Sequence, residues 1–175
     1  KIGNFSIIET ISVFKGKPKD FGWDETVVFY NNQEEFHYEK PKGTIDTSTG
    51  VICLPENYQD PNNHEMEEGR LRITNPANFE KWAELDEESY IEEKTRCEVK
   101  MLHQSLEYLP NGKSQKNRFI EATLMKDTFT PRTIKKFTNH ANGALYGSPI
   151  KSRSGSSRLK NLFLAGTDQG YIGIV

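Results

Sequence analysis

Cysteine is scarce in this chain: Cys53 and Cys97 are the only two in 175 residues. They stand far apart and outside any CxxC spacing. That excludes a disulfide framework and marks both as reduced core residues of the kind cytosolic proteins carry. Histidine is as thin. His37, His64, His103 and His140 are scattered, with no HxxxH pair and no cysteine at ligand spacing, so no metal site is expected. Neither sign of charge dominates. The 23 Lys and Arg against 25 Asp and Glu leave a net charge of −2, which removes the electrostatic motive for binding nucleic acid. No apolar run approaches the roughly 18 residues a transmembrane helix needs. There is no signal-peptide pattern and no initiator Met before Lys1, so the chain reads as a segment of a longer protein. Asn4-Phe5-Ser6 fits a glycosylation sequon, but nothing else points to secretion.

What the chain does have is aromatic residues: ten Phe, seven Tyr and two Trp. With 34% hydrophobic residues, they argue for a folded domain rather than disorder. Phe5 to Phe14 reads as a long strand. Phe5, Ile7, Glu9, Ile11 and Val13 lie on one side, and Ser6, Ile8, Thr10, Ser12 and Phe14 on the other. Lys15 to Asp24, with Gly16, Pro18 and Gly22, reads as a loop. Thr26 to Tyr30, Gly50 to Leu54 and Arg70 to Thr74 read as further strands. The stretch from Tyr58 to Gly69 reads as a polar loop.

The spacing of Tyr90, Ile91, Lys94, Cys97, Met101, Leu102, Ser105, Leu106 and Leu109 predicts a helix from Asp86 to Leu109. Acidic residues sit at its start and Pro110-Asn-Gly closes it. A shorter helix is expected over Asn78 to Leu85. Phe119 to Lys126 reads as a strand. Thr130-Pro131 fits a helix N-cap followed by proline at the first position, so a short helix is expected over Pro131 to Thr138. Ala144 to Tyr146 reads as a short strand and Lys151 to Arg158 as a surface loop. Several strands with one dominant helix give an α+β class.

The end of the chain is the most informative stretch. Leu162 to Ala165 reads as a short buried strand, followed by Gly166, Gly170 and Gly173 around Thr167 and Asp168, and then by Ile172, Ile174 and Val175. Glycines that let the backbone approach a ligand, ahead of a helix start with unpaired N–H groups, can hold an anionic cofactor. An ordinary strand-to-helix turn has the same look.

Three stretches carry a wider likeness: Asp127 to His140, Asn142 to Ser148 (NGALYGS), and Asn161 to Val175 (NLFLAGTDQGYIGIV). In this order the chain resembles the flavin-dependent amine-oxidase superfamily, on its phytoene desaturase and carotenoid isomerase-like branch. The resemblance implies an FAD-dependent oxidoreductase that dehydrogenates or isomerises a polyene or another long apolar substrate. Residues 1–150 would form its substrate domain, a mixed, largely antiparallel sheet covered by helices. Residues 151–175 would return to an FAD domain built from the remainder of the parent chain. Gly166, Thr167, Asp168, Gly170, Ile172 and Gly173 match the family's second FAD motif. Asn139, His140 and Tyr146 would lie near the flavin, and no catalytic residue is singled out.

The family's GxGxxG fingerprint is absent, since no GxG occurs in the 175 residues. FAD is therefore expected in the parent rather than in this stretch, which by itself is expected to be inactive. Two alternatives stand beside this one: a non-redox binding module that shares the fold, and a flavin amine oxidase acting on a polar amine. A cytoplasmic location is expected. Peripheral membrane contact is left open and is not signalled by any amphipathic basic helix.

Other features have plainer readings. Arg132, Lys135, Lys136 and His140 could meet an anion, but they suit the solvated face of a short helix better. Phe14, Phe21, Trp23, Phe29 and Tyr30 could line a tunnel, but they suit an ordinary core better. Glu34, Glu35, Glu39, Glu65, Glu67 and Glu68 read as solvated loop charges. Cys97 reads as a small buried hydrophobe.

Overall fold

The computed structural model describes residues 3–35, 39–58, 67–146, 150 and 154–164. Its frame is a five-stranded sheet in the order β2-β3-β4-β1-β5. The strands are β1 (Ser6–Lys15), β2 (Val27–Asn31), β3 (Thr49–Cys53), β4 (Glu68–Ala77) and β5 (Thr123–Phe129). Every strand pairing is antiparallel. β1 and β4 are matched along their whole length, from Ser6 opposite Ala77 to Lys15 opposite Glu68. With four helices beside the sheet, α1 (Phe79–Ala83), α2 (Glu87–Ser105), α3 (Gly112–Ala122) and α4 (Pro131–Thr138), the molecule is α+β.

Local chemistry sets three of the helix starts. The Asn78 side chain accepts from the amide of Glu80 at 3.1 Å, and Asp86 accepts from that of Ser89 at 2.8 Å. The Ser89 amide holds the Asp86 carboxyl below its usual range. Thr130 caps α4 in a reciprocal arrangement with Thr133, with Pro131 at the first helical position. Asn139 closes α4 in the left-handed conformation, at φ 56°.

The core lies between the helices and one face of the sheet. Phe14, Phe21, Trp23 and Phe119 form its aromatic centre, with Phe14 and Phe119 5.2 Å apart between ring centroids and Phe21 and Trp23 5.0 Å apart. Trp23 spends its indole N–H on the Pro110 carbonyl at 3.1 Å. Gly69 faces Phe14 across the β1–β4 pair, and a Cβ there would stand 2.3 Å from the Phe14 ring, so the ring lies flat over the strand only because residue 69 has no side chain. Beneath α2, Thr10 and Thr128 share a hydrogen bond at 3.0 Å, and Thr128 donates to Glu98 at 2.8 Å. Sequence reading took Cys97 for a small buried hydrophobe. It is fully buried, and burial pushes its thiol up to about 12.

Four sequence expectations are corrected. α2 ends at Ser105 rather than Leu109. The chain turns there, yet Leu106 and Leu109 remain buried at 2% and 4% exposure, so the apolar spacing runs on past the last helical residue. Phe119 to Ala122 is helical, not the start of a strand: α3 carries Phe119 into the aromatic centre, and β5 begins only at Thr123. Ala144 to Tyr146 is a turn; the Leu145 amide bonds the Phe5 carbonyl at 3.0 Å without extending the sheet. Leu162, Phe163 and Leu164 are exposed, and a single bridge between Ser156 and Phe163 replaces the expected buried strand. Ala165 lies outside the described residues.

Candidate functional site

Strand alternation sends successive side chains to opposite faces, and the register shows what each face carries. Ser6, Ile8, Thr10, Ser12 and Phe14 are all buried, and this is the side where Phe119 of α3 and Glu98 of α2 meet the sheet. The opposite face runs through Phe29, Val51, Thr74, Glu9 and Phe129 in one row across all five strands. A second row crosses Val27, Cys53, Arg72, Ile11 and Asp127. This face mixes apolar side chains with the charged Glu9, Arg70, Arg72 and Asp127, and it is still open: Phe29 is 78% exposed and Met125 64%. Its uncovered apolar side chains make it a candidate contact or ligand surface.

At one end of the open face the strands and the turn after α4 enclose a cleft of about 370 Å³, within the range of small-molecule sites. Phe5, Ile7, Phe29, Val51, Leu145 and Tyr146 are among its walls. Its floor crosses Tyr30, Gly50 and Asn75, and alternation directs the Tyr30 and Asn75 side chains to the helix side. There the Asn75 amide donates to the Tyr30 hydroxyl and to the Thr49 carbonyl, each at 2.7 Å. A Cβ on Gly50 would stand 2.6 Å from that amide nitrogen. Burial pushes the Tyr30 phenol up to about 12, and its ring stacks on Tyr108 at 4.4 Å. The floor is thus uncharged and shaped by a residue without a side chain, and the buried Asn75 Oδ1 has no hydrogen-bond partner among the described residues.

Ion pairs interrupt the open face: Arg70 pairs with Glu56, Asp127 with Lys94, and Arg72 with Glu9. Arg72 donates to Glu9 from Nη2 at 2.8 Å and from Nε at 3.1 Å, and Thr74 donates to the second Glu9 oxygen at 2.8 Å. Cys53, beside Arg72 in the register, is half-buried, and burial raises its thiol despite the guanidinium nearby.

The residues singled out from sequence divide clearly. Gly166, Thr167, Asp168, Gly170, Ile172 and Gly173 lie outside the described residues, as does Glu65. Of the aromatics weighed as tunnel lining, Phe14, Phe21, Trp23 and Tyr30 are buried, and Phe29 stands on the cleft wall. Tyr146 joins it there, while the His140 ring turns to the Ala144 carbonyl at 2.8 Å and Asn139 caps α4. The cations of α4 do not converge on an anion site. Arg132 lies over Tyr90 at 4.3 Å and pairs with Glu87, and Lys135 reaches Asn139 at 3.3 Å. Lys136 lies over Phe137 at 5.6 Å. Glu34, Glu35, Glu39, Glu67 and Glu68 are exposed.

Sequence reading passed over the walls Phe5, Ile7, Val51 and Leu145. The signal was present in β1, which is apolar on both sides. Among the described residues, no helix is long and apolar enough to cross a membrane, and no group of three His, Cys, Asp or Glu could hold a metal ion.

No protein-family model matches the chain, and neither does any curated protein or solved structure. The likeness to the flavin amine-oxidase superfamily therefore rests on the three stretches of sequence themselves.

Proposed function

We propose that this chain forms the substrate-binding layer of an FAD-dependent oxidoreductase, one that dehydrogenates or isomerises a polyene or another long apolar substrate. The observation that carries this reading is the sheet with helices on one face and an open face on the other, whose cleft is walled by Phe5, Ile7, Phe29, Val51 and Leu145. Such a face supplies a dry wall against which an apolar molecule can be held. FAD, when bound, would supply the redox chemistry by accepting hydride. The described residues build no cradle for it, because Arg132 and Lys135 are committed within the protein. The cofactor contacts assigned to Gly166, Thr167, Asp168, Gly170, Ile172 and Gly173 come from the sequence resemblance alone. The contribution assigned to the described residues is to bind and orient substrate and to exclude water.

The test is an FAD titration, followed by flavin fluorescence and absorbance. It compares this chain with a longer one that adds an upstream GxGxxG strand–turn–helix. Binding by the longer chain alone supports the reading. Failure of both favours a non-redox binding module with the same open face, the second reading that the missing GxG already motivates.

A further inference from the structure

The sheet has two edges, and they are built differently. β5 bears devices that keep an edge from pairing with another chain. A bulge breaks its register with β1 between Val13 and Phe14. Lys126 and Asp127 stand side by side in it, paired with Glu98 and Lys94 of α2. β2 bears none of these. Its residues, Val-Val-Phe-Tyr-Asn, match β3 without a shift, from Val27 opposite Cys53 to Asn31 opposite Thr49. It contains no charge and no proline.

The register fixes which backbone groups of β2 face outward. In an antiparallel pair, residues opposite each other alternately exchange both hydrogen bonds or turn their N–H and C=O away. The Leu54 amide bonds the Thr26 carbonyl at 2.8 Å, and the Asn32 amide bonds the Ser48 carbonyl at 2.9 Å. Val28 and Tyr30 share that parity and are bonded to β3. Val27, Phe29 and Asn31 therefore present their N–H and C=O groups at the outer edge, with no backbone partner there among the described residues.

Both ends of this edge are acidic. Asp24 and Glu25 precede β2, and Glu34 and Glu35 follow it. All four are exposed, and none has a salt-bridge partner among the described residues. No Lys or Arg occurs from Phe21 to Glu39. A second copy paired antiparallel about Phe29 would set Asp24 opposite Glu34, a like-charge contact. The charge selects a basic partner instead.

We propose that the outer edge of β2 is a docking site for an extended, basic segment of a partner protein, which joins the sheet as a further strand. Its backbone bonds Val27, Phe29 and Asn31, and an apolar side chain packs beside Phe29 on the open face. Lys or Arg at its two ends meets the four carboxylates.

The probe is the peptide Lys-Lys-Val-Thr-Val-Thr-Val-Lys-Lys, titrated into the ¹⁵N-labelled chain. The expected result is saturable shifts and slowed hydrogen exchange at the Val27, Phe29 and Asn31 amides, with the β5 amides unmoved. The same peptide with Glu in place of each Lys should bind about tenfold more weakly or worse, and added salt should narrow the difference. Phe29→Pro removes the central outward N–H, a change an edge strand tolerates, and should abolish the shifts. Glu34→Lys together with Glu35→Lys leaves the β2 backbone as it is and should erase the preference for the Lys-ended peptide.

Slow exchange at Val27, Phe29 and Asn31 before any peptide is added overturns the open edge. Binding that survives Phe29→Pro overturns the pairing geometry. Equal binding of the Glu-ended peptide overturns the basic partner. Concentration-dependent shifts of the same amides without peptide overturn it in favour of a second copy. Absence of saturable shifts with either peptide overturns the proposal as a whole and leaves the FAD reading untouched.

Discussion

The two faces of β1 are close to equal in apolar character and opposite in fate. On one, Ile8 and Phe14 are fully buried beneath α2 and α3, and the small polar residues between them, Thr10 and Ser12, are buried with them. On the other, Ile7, Ile11 and Val13 are only partly covered, and their neighbours Phe29 and Phe129 stand at 78% and 41% exposure. Burial of apolar surface contributes about 25 cal/mol per Å², so the helix-covered face stabilises the fold. The open face gains less of it, because its apolar side chains stay partly exposed. Which apolar residues of the strand stabilise the fold thus depends on the parity of their position.

The sharpest break of this comparison is on the closed face. Phe14→Ala should cost about 3–5 kcal/mol, because the ring touches Phe21, Trp23 and Phe119 at once. Chemical denaturation would show this as a large drop in midpoint.

Next in size is an alkaline effect at Tyr30. Its folded pKa is raised from 10.0 to about 12 by burial, so the neutral phenol is the form the fold favours. Its contribution is fully present below about pH 10 and is lost as pH rises toward 12. One pKa unit corresponds to about 1.4 kcal/mol. Tyr30→Phe should flatten this part of the pH–stability curve, and an unchanged curve would remove Tyr30 as its source.

On the open face, Glu9→Gln breaks the pair with Arg72. Arg72 is 44% exposed in its side chain and Glu9 16%, so the cost should be at most about 1 kcal/mol and should shrink with added salt. Phe29→Ser is the smallest effect, within about 0.5 kcal/mol. It should nevertheless weaken binding of an apolar probe in the cleft that Phe29 lines. A Phe29→Ser variant destabilised as much as Phe14→Ala would erase the distinction between the faces.

Much of this fold was legible along the chain. The alternation in β1, the Asp86 and Thr130 caps and the proline at the start of α4 are local events, decided by side chains within a few residues of the backbone they satisfy. The site was only half legible. Phe29 and Tyr146 were in view, Phe29 with four companions now buried in the core. Phe5, Ile7 and Val51 were not, because an apolar residue on a strand looks the same whether a helix or a ligand is meant to cover it. Arg132 and Lys135, read from sequence as the solvated face of a short helix in preference to an anion site, reach Glu87 on a neighbouring helix and Asn139 at the cap.

The sequence by itself determined the strand alternation, the caps, the α+β class and the absence of a disulfide framework, all properties of short windows or of composition. Only the tertiary structure decided that Phe119 belongs to a helix, that Leu106 and Leu109 are buried beyond the end of α2, and which side of β1 stays open. Those outcomes depend on surfaces brought together from distant parts of the chain. Phe119 is helical because Phe14, Phe21 and Trp23 await it, and Ile7 is only partly covered because the helices pack on the other side of the sheet.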